Sequence, residues 1–127
     1  MVATRLRWKA FMKQVVAVIR PFLAEKVLDA IQSLDLEAMN IREVKGFGRQ
    51  KSYLDRYSQG EYSLTFLPKI EITLWIEDHL VQEAIDQIAS AARIGRMGDG
   101  KIFVQPIGRS VDLSGVDEGN IESIGES

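Results

Sequence analysis

The order of strand and helix patterns along the chain is the feature that most constrains its fold. Residues 70–77 alternate between branched aliphatic residues and Glu, Thr or Trp, which is the clearest period-two pattern in the sequence and predicts a strand. Two stretches carry apolar residues at helical spacing and predict amphipathic helices at about 23–34 and 81–92. An apolar, β-branched run predicts a strand at 14–19, a more polar stretch predicts one at 39–44, and residues 101–105 predict the last. An apolar pattern at 62–66, interrupted by Pro68, precedes the alternating segment and is counted with it as one strand.

The resulting order is β-α-β-β-α-β, the ferredoxin-like arrangement of an α+β protein. Right-handed crossovers place both helices on one face of an antiparallel sheet. The first strand is nonetheless apolar on both sides, since Val15, Ala17 and Ile19 alternate with Val16 and Val18. A second apolar face on so small a domain predicts self-association, and dimers, trimers and larger rings would all bury it.

Composition excludes several classes of function. The 127 residues include no cysteine and one histidine, so disulfides, thiolate sites, Cys nucleophiles and multi-His metal sites within one chain are ruled out. The net charge of −2 excludes the basic bulk of a non-specific nucleic-acid coating protein. No apolar run approaches the roughly 20 residues that span a bilayer. The lack of cysteines and of a membrane-spanning run predicts a cytoplasmic protein. No Ser-His-Asp set or defensible acid–base pair is present, so we expect that it is not an enzyme.

The two ends differ from the middle in charge. Residues 1–11 are basic and predict a flexible N-terminal extension, while residues 108–127 form an acidic C-terminal segment rich in Gly and Ser. The folded domain is therefore expected at 12–107.

A sixteen-residue polar stretch at 45–60 joins two strands that a short hairpin could connect, which is typical of functional or disordered loops. It interleaves basic residues with Phe47, Tyr53 and Tyr57. Such a composition suits docking to a protein partner, plain disorder or nucleic-acid binding.

Three glycines and three cations share the stretch from 93 to 101. Backbone amides could converge there on a phosphate. A helix C-cap followed by a turn explains the same glycines. The spacing fits neither a Walker P-loop nor a dinucleotide fingerprint, because no Ser or Thr follows Lys101 and the stretch lies between a helix and a strand.

Four segments in order, MKQVVAVIRPF, EVKGFGRQK, EYSLTFLPKIEI and GDGKIFV, strongly resemble the PII nitrogen-regulatory signal-transduction proteins. The resemblance covers residues 12–104. It implies a ferredoxin-like protomer, a homotrimer, and clefts between subunits that bind ATP, ADP or AMP. It also implies a regulator that docks onto a transporter or metabolic enzyme, with no direct nucleic-acid binding and membrane contact only through a partner.

The resemblance further assigns roles to individual positions. It implies a partner-docking T-loop at about 46–62 and a phosphate-binding B-loop at about 93–101. Tyr62 matches a tyrosine that is uridylylated in many bacterial members. The implied nucleotide-binding residues are Gly48, Arg49, Gln50, Gly98, Asp99, Gly100 and Lys101, the implied 2-oxoglutarate ligands are Gln50, Lys51 and Lys69, and Gln50 is the implied Mg²⁺ contact.

The sequence also departs from the family pattern. The residues before Tyr62 differ from the usual Tyr-Arg-Gly-Ala-Glu, Ile94 replaces a common Thr, and segment 107–115 lacks the paired arginines that reach nucleotide phosphates. Three hypotheses follow. The chain is a nitrogen regulator responding to ATP and 2-oxoglutarate, a divergent sensor of ADP or AMP and of bicarbonate, or a small ferredoxin-like nucleotide-hydrolysing enzyme.

Overall fold

The computed structural model describes residues 6–50, 63–96 and 98–114, and for residues 47–50 and 63–65 it describes the backbone alone. Four strands and two helices follow the predicted order. A short 3₁₀ turn precedes each helix, and Pro21 opens the first of them, where its missing N–H costs nothing. The elements are β1 (Trp8–Ile19), α1 (Ala24–Ile31), β2 (Ala38–Gln50), β3 (Ser63–Glu77), α2 (Val81–Ala92) and β4 (Gly100–Val111).

The four strands form one antiparallel sheet in the order β2-β3-β1-β4. This order is that of a ferredoxin-like α+β fold, so the fold predicted from the sequence is confirmed. The last residue of β1, Ile19, lies opposite Ile70 of β3 and opposite Gly100 of β4. The C-terminal end of β1 thus lies between the start of β4 and the middle of β3.

One face of the sheet packs against both helices and forms the core. The inward residues of β1 are Val15, Ala17 and Ile19, all at most 2% exposed. Their neighbours on β3 and the inward stripes of the helices complete the cluster, which includes Ile72, Leu74, Ile76, Val27, Ile31, Ala84 and Ile88. This burial follows from the period of two in the strands and of 3.6 in the helices. No helix within the described residues is long and apolar enough to cross a membrane.

The opposite face of the sheet has no cover from the described part of the chain. Val16 and Val18 are half-buried there, and Phe103, which lies opposite Val16, is 56% exposed. The indole of Trp75 on the same face donates a 3.0 Å hydrogen bond to Gln14 Oε1. The two-sided apolar character predicted for β1 is therefore present in the structure.

The pair formed by β1 and the edge strand β4 is longer than the sequence pattern predicted. Residues 8–11, expected in a flexible extension, belong to β1 and lie opposite the end of β4 at Val111, which itself exceeds the predicted domain end at 107. The Lys9 ammonium lies 2.8 Å from Glu37, and the Arg109 guanidinium lies 4.5 Å from the centre of the Trp8 ring. These contacts hold a segment whose alternation was too weak to identify from sequence.

β2 and β3 also extend beyond the rest of the sheet. β1 pairs only with residues 70–77 of β3, whereas β2 and β3 remain paired as far as Gln50 and Ser63. Residues 46–50, predicted to begin the T-loop, therefore form a two-stranded ribbon, and the connection 51–62 lies outside the described residues. Pro68 is tolerated in this ribbon because β3 has a neighbour on one side only at that point.

Candidate functional site

The candidate site is the loop between α2 and β4, which lies beside the C-terminal end of β1. α2 ends at Ala92, and Arg93 adopts an extended conformation. Gly95, which fits a helix C-cap by sequence, lies beyond that end and serves the loop instead, with φ +79°. Gly98 has φ +88° and precedes Asp99, whose amide closes a turn by donating to the Arg96 carbonyl at 3.2 Å. Both positions need glycine because other side chains rarely adopt these angles.

The carboxylate of Asp99 lies at the centre of this loop. Its Oδ2 accepts hydrogen bonds from three successive amides, those of Ile94 at 3.2 Å, Gly95 at 2.8 Å and Arg96 at 3.1 Å. Partial burial would raise the pKa of Asp99, but these three donors and the nearby Arg20 outweigh it and lower the pKa below its ordinary value. Amides do converge on an anion here, which is one of the two arrangements that the glycine pattern allowed, but that anion is a side chain of the loop itself rather than a phosphate.

Gly100 brings β4 against the end of β1. Its φ is +125°, and a Cβ at this position would lie 2.0 Å from the Val18 carbonyl oxygen. The close approach fixes where the loop ends: Gly100 starts the ladder opposite Ile19, and Lys101 follows opposite Val18 with an exposed side chain.

Lys69 joins the loop from β3. Its ammonium donates a 2.9 Å hydrogen bond to the Gly98 carbonyl. The stem of the side chain crosses Gly46 on β2, where a Cβ would lie 2.6 Å from Lys69 Cγ. Burial and the positive charge of Arg20 both lower the pKa of Lys69, with Asp99 acting in the opposite direction.

Arg20, directly after β1, is the site residue that sequence reasoning missed. Its side chain is 18% exposed, and Nη2 lies 3.7 Å from Asp99 Oδ1. The same nitrogen would lie 3.3 Å from a Cβ on Gly98, so the guanidinium lies beside the turn. The available signal was a cation between a buried strand and Pro21, but only the pairing of Ile19 with Gly100 places it next to this loop.

The structure brings one part of the predicted site together and leaves another part apart. Lys69 contacts Gly98, which lies in the same loop as Asp99 and Gly100. Gly48, Arg49 and Gln50 lie on the ribbon, where they pair with Thr65, Leu64 and Ser63. At about 3.3 Å per residue, these partners are roughly 13–20 Å along β3 from Lys69.

Three predicted features are not tested by these positions. Lys51 and Tyr62 lie outside the described residues. Within the part of the chain that the structure describes, no group of three or more His, Asp or Glu side chains could hold a metal ion. The predicted Mg²⁺ contact of Gln50 stays a prediction.

Comparison with known proteins gives consistent matches over most of the chain. The sequence model of the family "Nitrogen regulatory protein P-II" matches residues 12–114. A nitrogen regulatory protein P-II of Rhodospirillum rubrum is 45% identical over 102 residues, which cover 80% of this chain and 91% of that protein. The nitrogen regulatory protein GlnK of Escherichia coli K12 is 44% identical over the same shares of both chains. These relatives are regulatory proteins, which agrees with the expectation of a regulator.

A solved structure extends the similarity to the fold. Arabidopsis thaliana PII bound to citrate matches with a TM-score of 0.60 and 26% identity, covering 79% of this chain and 78% of that one. The family match includes the whole loop from α2 to β4, the end of β1 and all of β4. With the ferredoxin-like strand order and the resemblance of four separate segments, these matches show that the chain belongs to the nitrogen regulatory protein P-II family.

Proposed function

We propose that this chain is a PII-type signal-transduction protein that binds adenine nucleotides at the loop between α2 and β4. The observation that carries the proposal is that Arg20 and Lys69 both contact the loop segment Gly98–Lys101 beside the end of β1. Cations and constrained backbone are what phosphate recognition requires. The ligand state then changes the T-loop and so alters the surface offered to a transporter or enzyme.

We propose that three chains assemble and that the nucleotide clefts lie between them. The sheet face opposite the helices supports assembly, because it presents Val16, Val18, Trp75 and an exposed Phe103 without cover from the described part of the chain. Burying such a patch stabilises association by roughly 25 cal/mol per Å² of apolar area. Light scattering on the purified protein should give three times the chain mass, and a monomer would contradict the proposal.

We expect the nucleotide preference of this chain to depart from the family pattern, because segment 107–115 lacks the paired arginines of that pattern. In segment 107–115, the one arginine, Arg109, is stacked on Trp8 and lies nine strand positions, roughly 30 Å, from Gly100. Farther on, Asp112 accepts hydrogen bonds from the Ser114 amide and hydroxyl at 2.9 and 2.6 Å. A charge-assisted contact contributes about 1.5–3 kcal/mol, so each missing arginine weakens triphosphate binding tenfold or more.

This difference favours a second candidate function within the same family. This second candidate is a sensor that prefers ADP or AMP, because these nucleotides place less charge than ATP where the arginines are missing. Bicarbonate would be a further effector of such a sensor. Titration calorimetry with ATP, ADP and AMP separates the two. Tight Mg²⁺-dependent ATP binding enhanced by 2-oxoglutarate supports the nitrogen-regulator hypothesis, while ADP or AMP binding that exceeds ATP binding supports the second.

The site itself is tested with a matched pair of variants. Lys101→Gln removes a cation beside the loop, and Lys26→Gln removes one from the exposed face of α1. We expect Lys101→Gln to weaken nucleotide binding at least tenfold and Lys26→Gln to leave it unchanged. Equal affinities for both variants would place the nucleotide elsewhere. Steady release of phosphate during the same incubations would favour the enzyme alternative.

T-loop switching is measured by protease access. Trypsin cleaves after Lys51 and Arg56, both within the predicted T-loop. We expect the cleavage rate in this segment to change severalfold when nucleotide and 2-oxoglutarate are added together. A rate that no effector alters would contradict the switching mechanism, even if nucleotide binds. Mass spectrometry of the native protein under nitrogen limitation tests for a uridylyl group on Tyr62.

A further inference from the structure

Three amides of the stretch 93–101, where sequence reasoning allowed amides to converge on a phosphate, are already occupied. Asp99 Oδ2 accepts from Ile94, Gly95 and Arg96 at 2.8–3.2 Å. Successive amides that converge in this way form a concave anion-binding nest. Because the carboxylate fills the nest, these three amides stabilise the loop and do not donate to a ligand. A ligand must then bind the neighbouring cations and the turn at Gly98.

The loop is held from two strands as well as from within. Arg20, at the end of β1, places its guanidinium 3.7 Å from Asp99 Oδ1. Lys69, on β3, donates to the Gly98 carbonyl at 2.9 Å. The neighbouring Gly98 would contact Arg20 Nη2 if it carried a Cβ, so the cation and the turn are already in close contact. The position of Asp99 therefore decides where the turn and its cations lie.

We propose that Asp99 and Arg20 are a positioning pair that holds the loop in the conformation that grips the phosphates of an adenine nucleotide. Asp99 acts through the three amides, and Arg20 draws the second carboxylate oxygen toward the end of β1 through an ion pair at 3.7 Å, which is too long for a hydrogen bond. Neither group needs to touch the ligand. The inference rests on the proposed function, because it names the residues that organise the same site.

The proposal makes a prediction opposite to that of simple electrostatics. Asp99 is a negative charge within a site for a polyanion, so its removal would strengthen phosphate binding if charge alone mattered. If Asp99 positions the loop, its removal must weaken binding, because a neutral acceptor makes weaker hydrogen bonds to the three amides. The sign of the change therefore separates the two explanations.

The experiment compares ADP affinity by calorimetry in matched variants. We expect Asp99→Asn to weaken binding about tenfold. Asp86→Asn, the same charge change on the exposed face of α2, should leave binding unchanged. Arg20→Gln should weaken ADP binding as much as Asp99→Asn does, and Arg20→Lys should recover most of the affinity. The double variant Asp99→Asn with Arg20→Gln should bind ADP little more weakly than either single variant.

A spectroscopic measurement without ligand completes the test. The amide proton resonances of Ile94, Gly95 and Arg96 should move upfield in Asp99→Asn and stay in place in Asp86→Asn. ADP binding by Asp99→Asn that equals or exceeds wild-type binding, or unmoved resonances, would overturn the positioning role. Should wild-type protein bind none of the three nucleotides, the proposed function fails, and the resonances alone decide whether the pair holds the loop.

Discussion

Replacing Gly100 by alanine tests the closest backbone contact in the site. A Cβ at this position would lie 2.0 Å from the Val18 carbonyl oxygen and 3.1 Å from its carbon, against about 3.4 Å for ordinary contact. The residue also has φ +125°, a region that L side chains rarely adopt. Both the contact and the backbone angle must change, and the opposing atoms are backbone rather than a flexible side chain.

The cost follows from these two observations. A non-glycine residue held in such a region costs about 1–3 kcal/mol. Moving the Val18 carbonyl disturbs the β1–β4 ladder next to the pairing of Ile19 with Gly100, and one lost hydrogen bond adds about 1 kcal/mol. We therefore expect Gly100→Ala to lower the free energy of unfolding by about 2–4 kcal/mol, which corresponds to a Tm lower by roughly 8–16 °C.

Gly108 provides the matched control on the same strand. A Cβ there would meet nothing within 4 Å, so Gly108→Ala should change the free energy of unfolding by at most about 0.5–1 kcal/mol. Thermal unfolding followed by circular dichroism, at one protein concentration and without ligand, compares the two. Unfolding of both variants within about 2 °C of each other would refute the geometric argument.

Three further predictions concern the contacts around the site. Gly46→Ala should displace the stem of Lys69 and, by breaking its bond to the Gly98 carbonyl, weaken ADP binding severalfold without unfolding the protein; unchanged calorimetric affinity would contradict this. Because the folded-state pKa of Asp99 is lowered, its carboxylate adds stability above the unfolded-state pKa near 3.8, and that stability is lost as pH falls through the lower folded value. Asp99→Asn should therefore flatten the acid limb of a pH–stability curve, and an unaltered limb would count against the amide contacts. Trp8→Ala removes the ring stacked on Arg109 and should lower stability by about 0.5–1 kcal/mol in denaturant titration, whereas a full loss of folding would show a larger role for the strand end.

The sheet and its core were predictable because their residues carry the strongest periodic signals. The alternation at 70–77 requires a strand with one buried face, and Ile72, Leu74 and Ile76 are indeed fully buried. The run through Val16 and Val18 has no polar alternation, which predicts a second apolar face. Local periodicity determines which face a residue occupies, and the right-handed crossover rule then determines the topology.

The ends of the strands were not predictable in the same way. Residues 46–50 carry two glycines and two polar residues, and they are strand only because they pair with 63–67. Residues 8–10 likewise become strand through pairing with the end of β4. Sequence patterning identifies a strand by a sustained alternation of apolar and polar residues, and neither segment carries one.

The centre of the site shows the same limit more sharply. Glycine spacing predicted that amides at 93–101 would converge on an anion, and it could not tell a ligand from a side chain of the loop itself. Asp99 fills that role because the turn at Gly98 returns the chain, and Arg20 joins it only because β1 and β4 are neighbours. Contacts between residues 79 positions apart depend on strand order, which local pattern alone does not contain.

The position of Lys69 explains why the predicted ligand residues divide into two groups. It lies one residue beyond the point where β1 stops pairing with β3, at the base of the ribbon that carries Gly48 to Gln50. Its stem crosses Gly46 on that ribbon, and its ammonium holds the Gly98 carbonyl of the loop. A two-stranded ribbon is marginally stable by itself, so its geometry depends on contacts at its base. An anion that draws the Lys69 ammonium away from Gly98 must therefore change the contacts of both the loop and the ribbon, because one side chain serves the two.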